Sequence, residues 1–66
     1  MKTTYKHIHF QQVHSDDSWD CLNNKSGDFL GRVEYYKPWR KKVFSPDGDA
    51  IFDEGCLKDI IDFLNQ

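Results

Sequence analysis

This chain has little of most things that announce a function. Two cysteines, Cys21 and Cys56, are too few and too far apart for a CxxC zinc or redox motif. No apolar run approaches the roughly 18 residues of a membrane span. The start, Met1-Lys2-Thr3-Thr4-Tyr5-Lys6, lacks the apolar centre of a signal peptide. The expected location is therefore the cytoplasm, with no membrane contact, where both thiols stay reduced. No nucleophile elbow, phosphate loop or metal-protease motif is present, so no enzyme activity is expected. Nor is there an excess of positive charge: the formal net charge is −2, against the strongly basic balance typical of nucleic-acid-binding domains.

What is present is one small domain over residues 1–66, with 15% aromatic and 30% charged residues. The rings compensate for short length, because each removes a large apolar area from water. The charges are segregated. Arg32, Lys37, Arg40, Lys41 and Lys42 crowd one stretch, and Asp47, Asp49, Asp53, Glu54, Asp59 and Asp62 follow. Such a pattern suits either two solvated faces or a dipolar molecule with one face for an anionic partner.

Alternation predicts a first strand over Tyr5–Phe10 with Ile8 and Phe10 inward. His14–Ser18 reads as an acidic loop and Trp19–Leu22 as a second strand. Asn23-Asn24-Lys25-Ser26-Gly27 is a turn, since Asn and Gly tolerate positive φ. Phe29–Tyr36 is the clearest strand. Phe29, Gly31, Val33 and Tyr35 share one face, and Leu30, Arg32, Glu34 and Tyr36 the other. Gly31 leaves room for a neighbouring ring or marks a bulge. Lys37-Pro38 breaks the run, Lys41–Ser45 forms the next strand, and Pro46-Asp47-Gly48 is a turn. Ala50–Phe52 is a short strand or extended segment. Leu57, Ile60, Ile61 and Leu64 follow helical spacing, with Cys56 and Phe63 flanking the stripe. Asp53 is the expected N-cap, and Lys58, Asp59, Asp62 and Gln66 face water.

The expected architecture is α+β: an antiparallel β-meander of three to four strands with one C-terminal helix packed on one face. Leu30, Arg32, Glu34 and Tyr36, joined by Arg40 and Lys42, would occupy the other, uncovered face.

Several segments resemble a group of small uncharacterised bacterial and phage proteins, a domain of unknown function. They are Trp19-Asp20-Cys21, Gly27-Asp28-Phe29-Leu30-Gly31-Arg32-Val33, Trp39-Arg40, Val43-Phe44-Ser45-Pro46, Phe52 and Cys56-Leu57-Lys58-Asp59-Ile60. The resemblance spans about Trp19–Leu64 and implies the same sheet-plus-helix fold without an activity. The element order is also similar to that of single-strand nucleic-acid-binding transcriptional coactivators, an analogy of architecture only.

Among residues that carry chemistry, His7 and His9 would share a strand face. With His14 or Cys21 they would supply metal ligands, but an exposed edge pair is the simpler reading, and neither a metal nor a cofactor is expected. The adjacent acids Asp16-Asp17 and Asp53-Glu54 read as turn and cap residues. Cys56 sits where a helix N-terminus lowers a thiol pKa, unless packing dominates.

The aromatic-basic hairpin is what remains. The reading is a non-catalytic binding module for a protein partner or for self-association. The alternative is single-stranded nucleic acid, with bases stacked on Tyr36 and Trp39 and phosphates met by the cations. Under either, the contact residues are Arg32, Tyr36, Lys37, Trp39, Arg40 and Lys42.

Overall fold

Four antiparallel strands in the order β1-β2-β3-β4 and one C-terminal helix make up the chain in the computed structural model, which describes residues 1–13 and 17–66. The strands are β1 (Ile8–Gln12), β2 (Trp19–Asn23), β3 (Phe29–Tyr36) and β4 (Lys41–Pro46), and the helix α1 spans Glu54–Leu64. Neighbours in the chain are neighbours in the sheet, so this is the expected α+β meander. His14 and Asp16, and most of the expected acidic loop, lie outside the described residues.

The first strand begins later than alternation suggests. The chain doubles back before it: Tyr5 N–H donates to the Ile8 carbonyl, and Phe10 N–H to the Thr3 carbonyl. Thr4 thus faces His9 along the outer edge of β1. This reversal carries Tyr5 into the core beside Ile8 and Phe10, where strict alternation would have separated them. Between β2 and β3 the turn forms as expected. Asn23 Oδ1 accepts from the Lys25 and Ser26 amides, and Gly27 takes φ +78°.

The core comprises Tyr5, Ile8, Phe10, Cys21, Val33, Ile60 and Phe63. Phe63 joins helix to sheet. Its ring stacks on Phe10 at 3.9 Å and meets Trp19 edge-on at 5.4 Å. Phe44 meets Phe52 edge-on at 5.5 Å, extending the core under β4. Residues 50–53 pair with no strand among the described residues.

Two placements depart from the sequence pattern. Cys21 pairs with Gly31 but Leu22 pairs with Phe29, so Leu30 is an extra residue in β3. This bulge resets the alternation. Leu30 packs against the core, while Phe29 turns outward with 42% of its surface exposed. The second departure is in α1. Apolar residues at 56, 57, 60, 61, 63 and 64 cover an arc of about 160° at 100° per residue. The sheet takes the Cys56–Ile60–Phe63 side of that arc. Leu57 and Ile61 stay 47% and 57% exposed, although they were expected in the buried stripe.

Asp53 caps α1, accepting from Cys56 N–H at 2.8 Å, and Glu54 pairs with Lys58 one turn on. Asp62 and Gln66 do more than face water. Tyr5 Oη donates to Asp62 at 2.8 Å, and Gln66 exchanges two 2.7 Å hydrogen bonds with the Lys2 backbone. These bonds tie the N-terminal segment to the helix end.

Candidate binding surface

Directly opposite residues of an antiparallel pair share a face. Val33 lies opposite Phe44 and Tyr35 opposite Lys42, on the side that α1 covers. Arg32 lies opposite Ser45, Glu34 opposite Val43, and Tyr36 opposite Lys41, on the open side. The connection from Lys37 to Arg40 fixes this parity. It is a tight 3-10 turn over Lys37–Trp39, with Pro38 near its start. Arg40 closes it in the left-handed region at φ 53°, its N–H donating to the Lys37 carbonyl at 3.0 Å. A non-glycine residue there is strained by roughly 1–2 kcal/mol.

All six sequence-predicted contact residues are exposed: Arg32, Tyr36, Lys37, Trp39, Arg40 and Lys42. They do not form one patch. Lys42 belongs to the face opposite Tyr36 and Arg32, because its partner is Tyr35. This corrects its expected place on the open side. Lys41 takes that place instead, and Val43 and Ser45 join it. Counting the register outward from the turn would have found them, since Tyr36 and Lys41 flank the connection.

Tyr36 and Trp39 sit together at the strand end. Their ring centroids are 5.1 Å apart at 82°, an edge-to-face pair. Tyr36 is 41% exposed and Trp39 65%. With Val43, Phe44 and Ser45 they line a shallow depression of about 220 Å³. Sites for drug-sized ligands are usually about 300–1,000 Å³, so this one suits a side chain better than a metabolite.

The cations around it differ in availability. Arg32 Nε donates to Asp20 at 3.1 Å, a cross-strand pair, and its guanidinium stands 6.0 Å from the Phe29 ring. Lys37, Arg40, Lys41 and Lys42 make no ion pair among the described residues.

Of the other chemistry-bearing residues, His9, Cys21 and Cys56 are held in structural contacts. His9 Nδ1 lies 2.6 Å from Asn24 Oδ1. Because Asn24 Nδ2 donates to the Tyr5 carbonyl, the oxygen faces His9, which then carries its proton on Nδ1. His7 precedes β1, so the two imidazoles do not share a strand. No three His, Cys, Asp or Glu side chains converge as metal ligands among the described residues. Cys21 is fully buried and its pKa is pushed up to about 12, chiefly by loss of solvent. Cys56 is half-buried, and its pKa is also raised, first by burial and then by the Asp53 carboxylate. The expected competition between helix terminus and packing is thus decided for packing. No helix among the described residues is long and apolar enough to cross a membrane.

No protein-family model, curated protein or solved structure matches the chain.

Proposed function

We propose that this protein is a non-catalytic protein-interaction module that binds through the Tyr36–Trp39 end of its open sheet face. One observation carries the reading. Tyr36 and Trp39 stand exposed side by side, their ring centroids 5.1 Å apart. A chain this small has strong reason to bury such rings, and exposed apolar clusters mark interaction surfaces. Tyr and Trp are also the anchors that dominate protein interfaces, and the depression beside them has the size of a partner side chain.

Single-stranded nucleic acid is the second reading, favoured by the exposure of Tyr36 and Trp39 beside Lys37, Arg40 and Lys41. Each ring could add about 1–3 kcal/mol by stacking on a base. Three features weigh against it. The two rings stand edge-to-face and cannot present a continuous platform. Arg32 is engaged by Asp20, and Lys42 points to the other face. The net charge of −2 adds long-range repulsion.

An amide titration with a mixed-sequence single-stranded oligonucleotide, at low and moderate salt, separates the two. The interaction reading expects no clustered shifts at high micromolar oligonucleotide. Shifts confined to residues 32–44 and weakened by salt would replace it with nucleic-acid binding.

A further inference from the structure

Strand β4 is an outer strand of the sheet, and no other segment among the described residues pairs with its free edge. The ladder with β3 fixes which groups face outward. Asp47 N–H donates to the Leu30 carbonyl at 2.9 Å, continuing the register in which Ser45 meets Arg32 and Val43 meets Glu34. Residues 41, 43 and 45 therefore bond inward to β3. Lys42, Phe44 and Pro46 present their backbone groups to the outside. Pro46 fits this scheme, since the N–H it lacks would have pointed away from the sheet.

The strand is also polarised. Lys41 and Lys42 begin it, and Asp47 and Asp49 follow its end. All four are exposed, and none makes an ion pair among the described residues. An antiparallel copy of the same strand would bring the basic start of one beside the acidic end of the other.

From this we infer that the occupant of the β4 edge is a second copy of this chain, paired antiparallel about Phe44. The inference goes beyond the Tyr36–Trp39 surface: it places a second copy along the strand edge beside that surface and stands apart from what binds there. In this register Phe44 faces its own symmetry mate, Val43 faces Ser45 of the second copy, and Lys41 faces Asp47 of the second copy. Lys42 N–H donates to the Pro46 carbonyl of the second copy, and the two Phe44 residues exchange hydrogen bonds. The two-fold axis repeats each contact, as an isologous interface requires. Parallel pairing in register would stack lysine on lysine, so the charges select the antiparallel arrangement. A single strand edge buries less than the roughly 1,200 Å² of a stable interface, so association is weak and concentration-dependent.

Sedimentation equilibrium on the full chain from about 10 µM to 1 mM at low salt tests this directly. Amide spectra check that each variant is folded. The wild type is expected to rise with concentration toward twice its 7.8 kDa mass. Lys41→Asp and Asp47→Lys each weaken association about three- to tenfold, from like charges placed opposite one another at two symmetric positions. The double variant Lys41→Asp/Asp47→Lys recovers wild-type association to within about twofold. Lys42→Pro, which removes an outward N–H without touching the core, also weakens it. A species that stays at the monomer mass throughout overturns the inference. So does a dimer indifferent to the single charge changes, or one that the double change fails to restore. A monomeric result leaves the interaction reading to be judged by the oligonucleotide titration, so the two can fail separately.

Discussion

Gly31→Ala is the substitution to which this fold should be most sensitive for its size. A Cβ on Gly31 would sit 2.5 Å from Phe44 Cζ and 2.7 Å from the Ser45 carbonyl oxygen. Ordinary contact between carbons lies near 3.5–4.0 Å, so the overlap is about 1 Å. The Phe44 ring can swing away only by leaving its edge-on contact with Phe52, which is worth about 0.5–1.5 kcal/mol. The Ser45 oxygen is backbone, so β4 itself must also draw back. Overpacking of this kind costs about 1–3 kcal/mol. Against it stands a gain of about 0.4–1 kcal/mol from stiffening the unfolded chain. The net expectation is a loss of about 2 kcal/mol, or roughly 10 °C in Tm for so small a domain. Urea unfolding followed by tryptophan fluorescence measures it, since Trp19 packs on Phe63. Gly31→Ala/Phe44→Leu should recover about half the loss, because a shorter side chain relieves the ring but not the carbonyl. A Gly31→Ala protein as stable as the wild type would refute the close approach of β3 and β4.

Three further outcomes follow from the same geometry. Tyr5→Phe loses the bond to Asp62 and should cost about 0.5–1.5 kcal/mol in urea unfolding. The Tyr5 pKa is raised to about 12, mainly by burial and then by Asp62. The stability this neutral phenol supplies is therefore complete below pH 10 and lost as pH rises from 10 through 12, a loss that Tyr5→Phe should abolish. The Asp53 pKa is lowered by its bonds to Cys56. Its contribution should be present above the usual carboxylate pKa and fade as pH falls through the lower folded value, and Asp53→Asn should flatten that part of the acid-unfolding curve. With a thiol-reactive dye at pH 8, Cys56 should label slowly in the native protein and Cys21 only on unfolding; equal rates would contradict the placement of Cys21.

Several local signals were legible, although the alternation of Tyr5–Phe10 misplaced the start of β1. The bounds of β3, the Asn23–Gly27 turn and the Asp53 cap were readable from a few adjacent residues, and each formed. Gly31 was readable both as space for a ring and as the mark of a bulge; the Phe44 ring lies over it and Leu30 is the extra residue beside it. What alternation could not supply was the consequence of the bulge, which exchanges the faces of Phe29 and Leu30. The helix face was ambiguous for a different reason. Its apolar arc is wider than the sheet can cover, and only the packing of Phe63 on Phe10 and Trp19 decides that Leu57 and Ile61 are left outside. Of the candidate surface, the exposed pair Tyr36 and Trp39 was visible as a cluster. Its true neighbours, Lys41, Val43 and Ser45, depend on cross-strand register. Asp62 and Gln66 bind a segment almost a full chain length away, which no local pattern signals.

The most direct test of the proposed surface is photo-cross-linking in cells that express the chain, with a photoreactive phenylalanine analogue replacing Trp39, Val43 or, as a control, Lys58. Discrete adducts are expected from positions 39 and 43 that protease destroys and nuclease does not, with none from position 58. Adducts destroyed by nuclease, or the same adducts from position 58, would contradict the proposed surface.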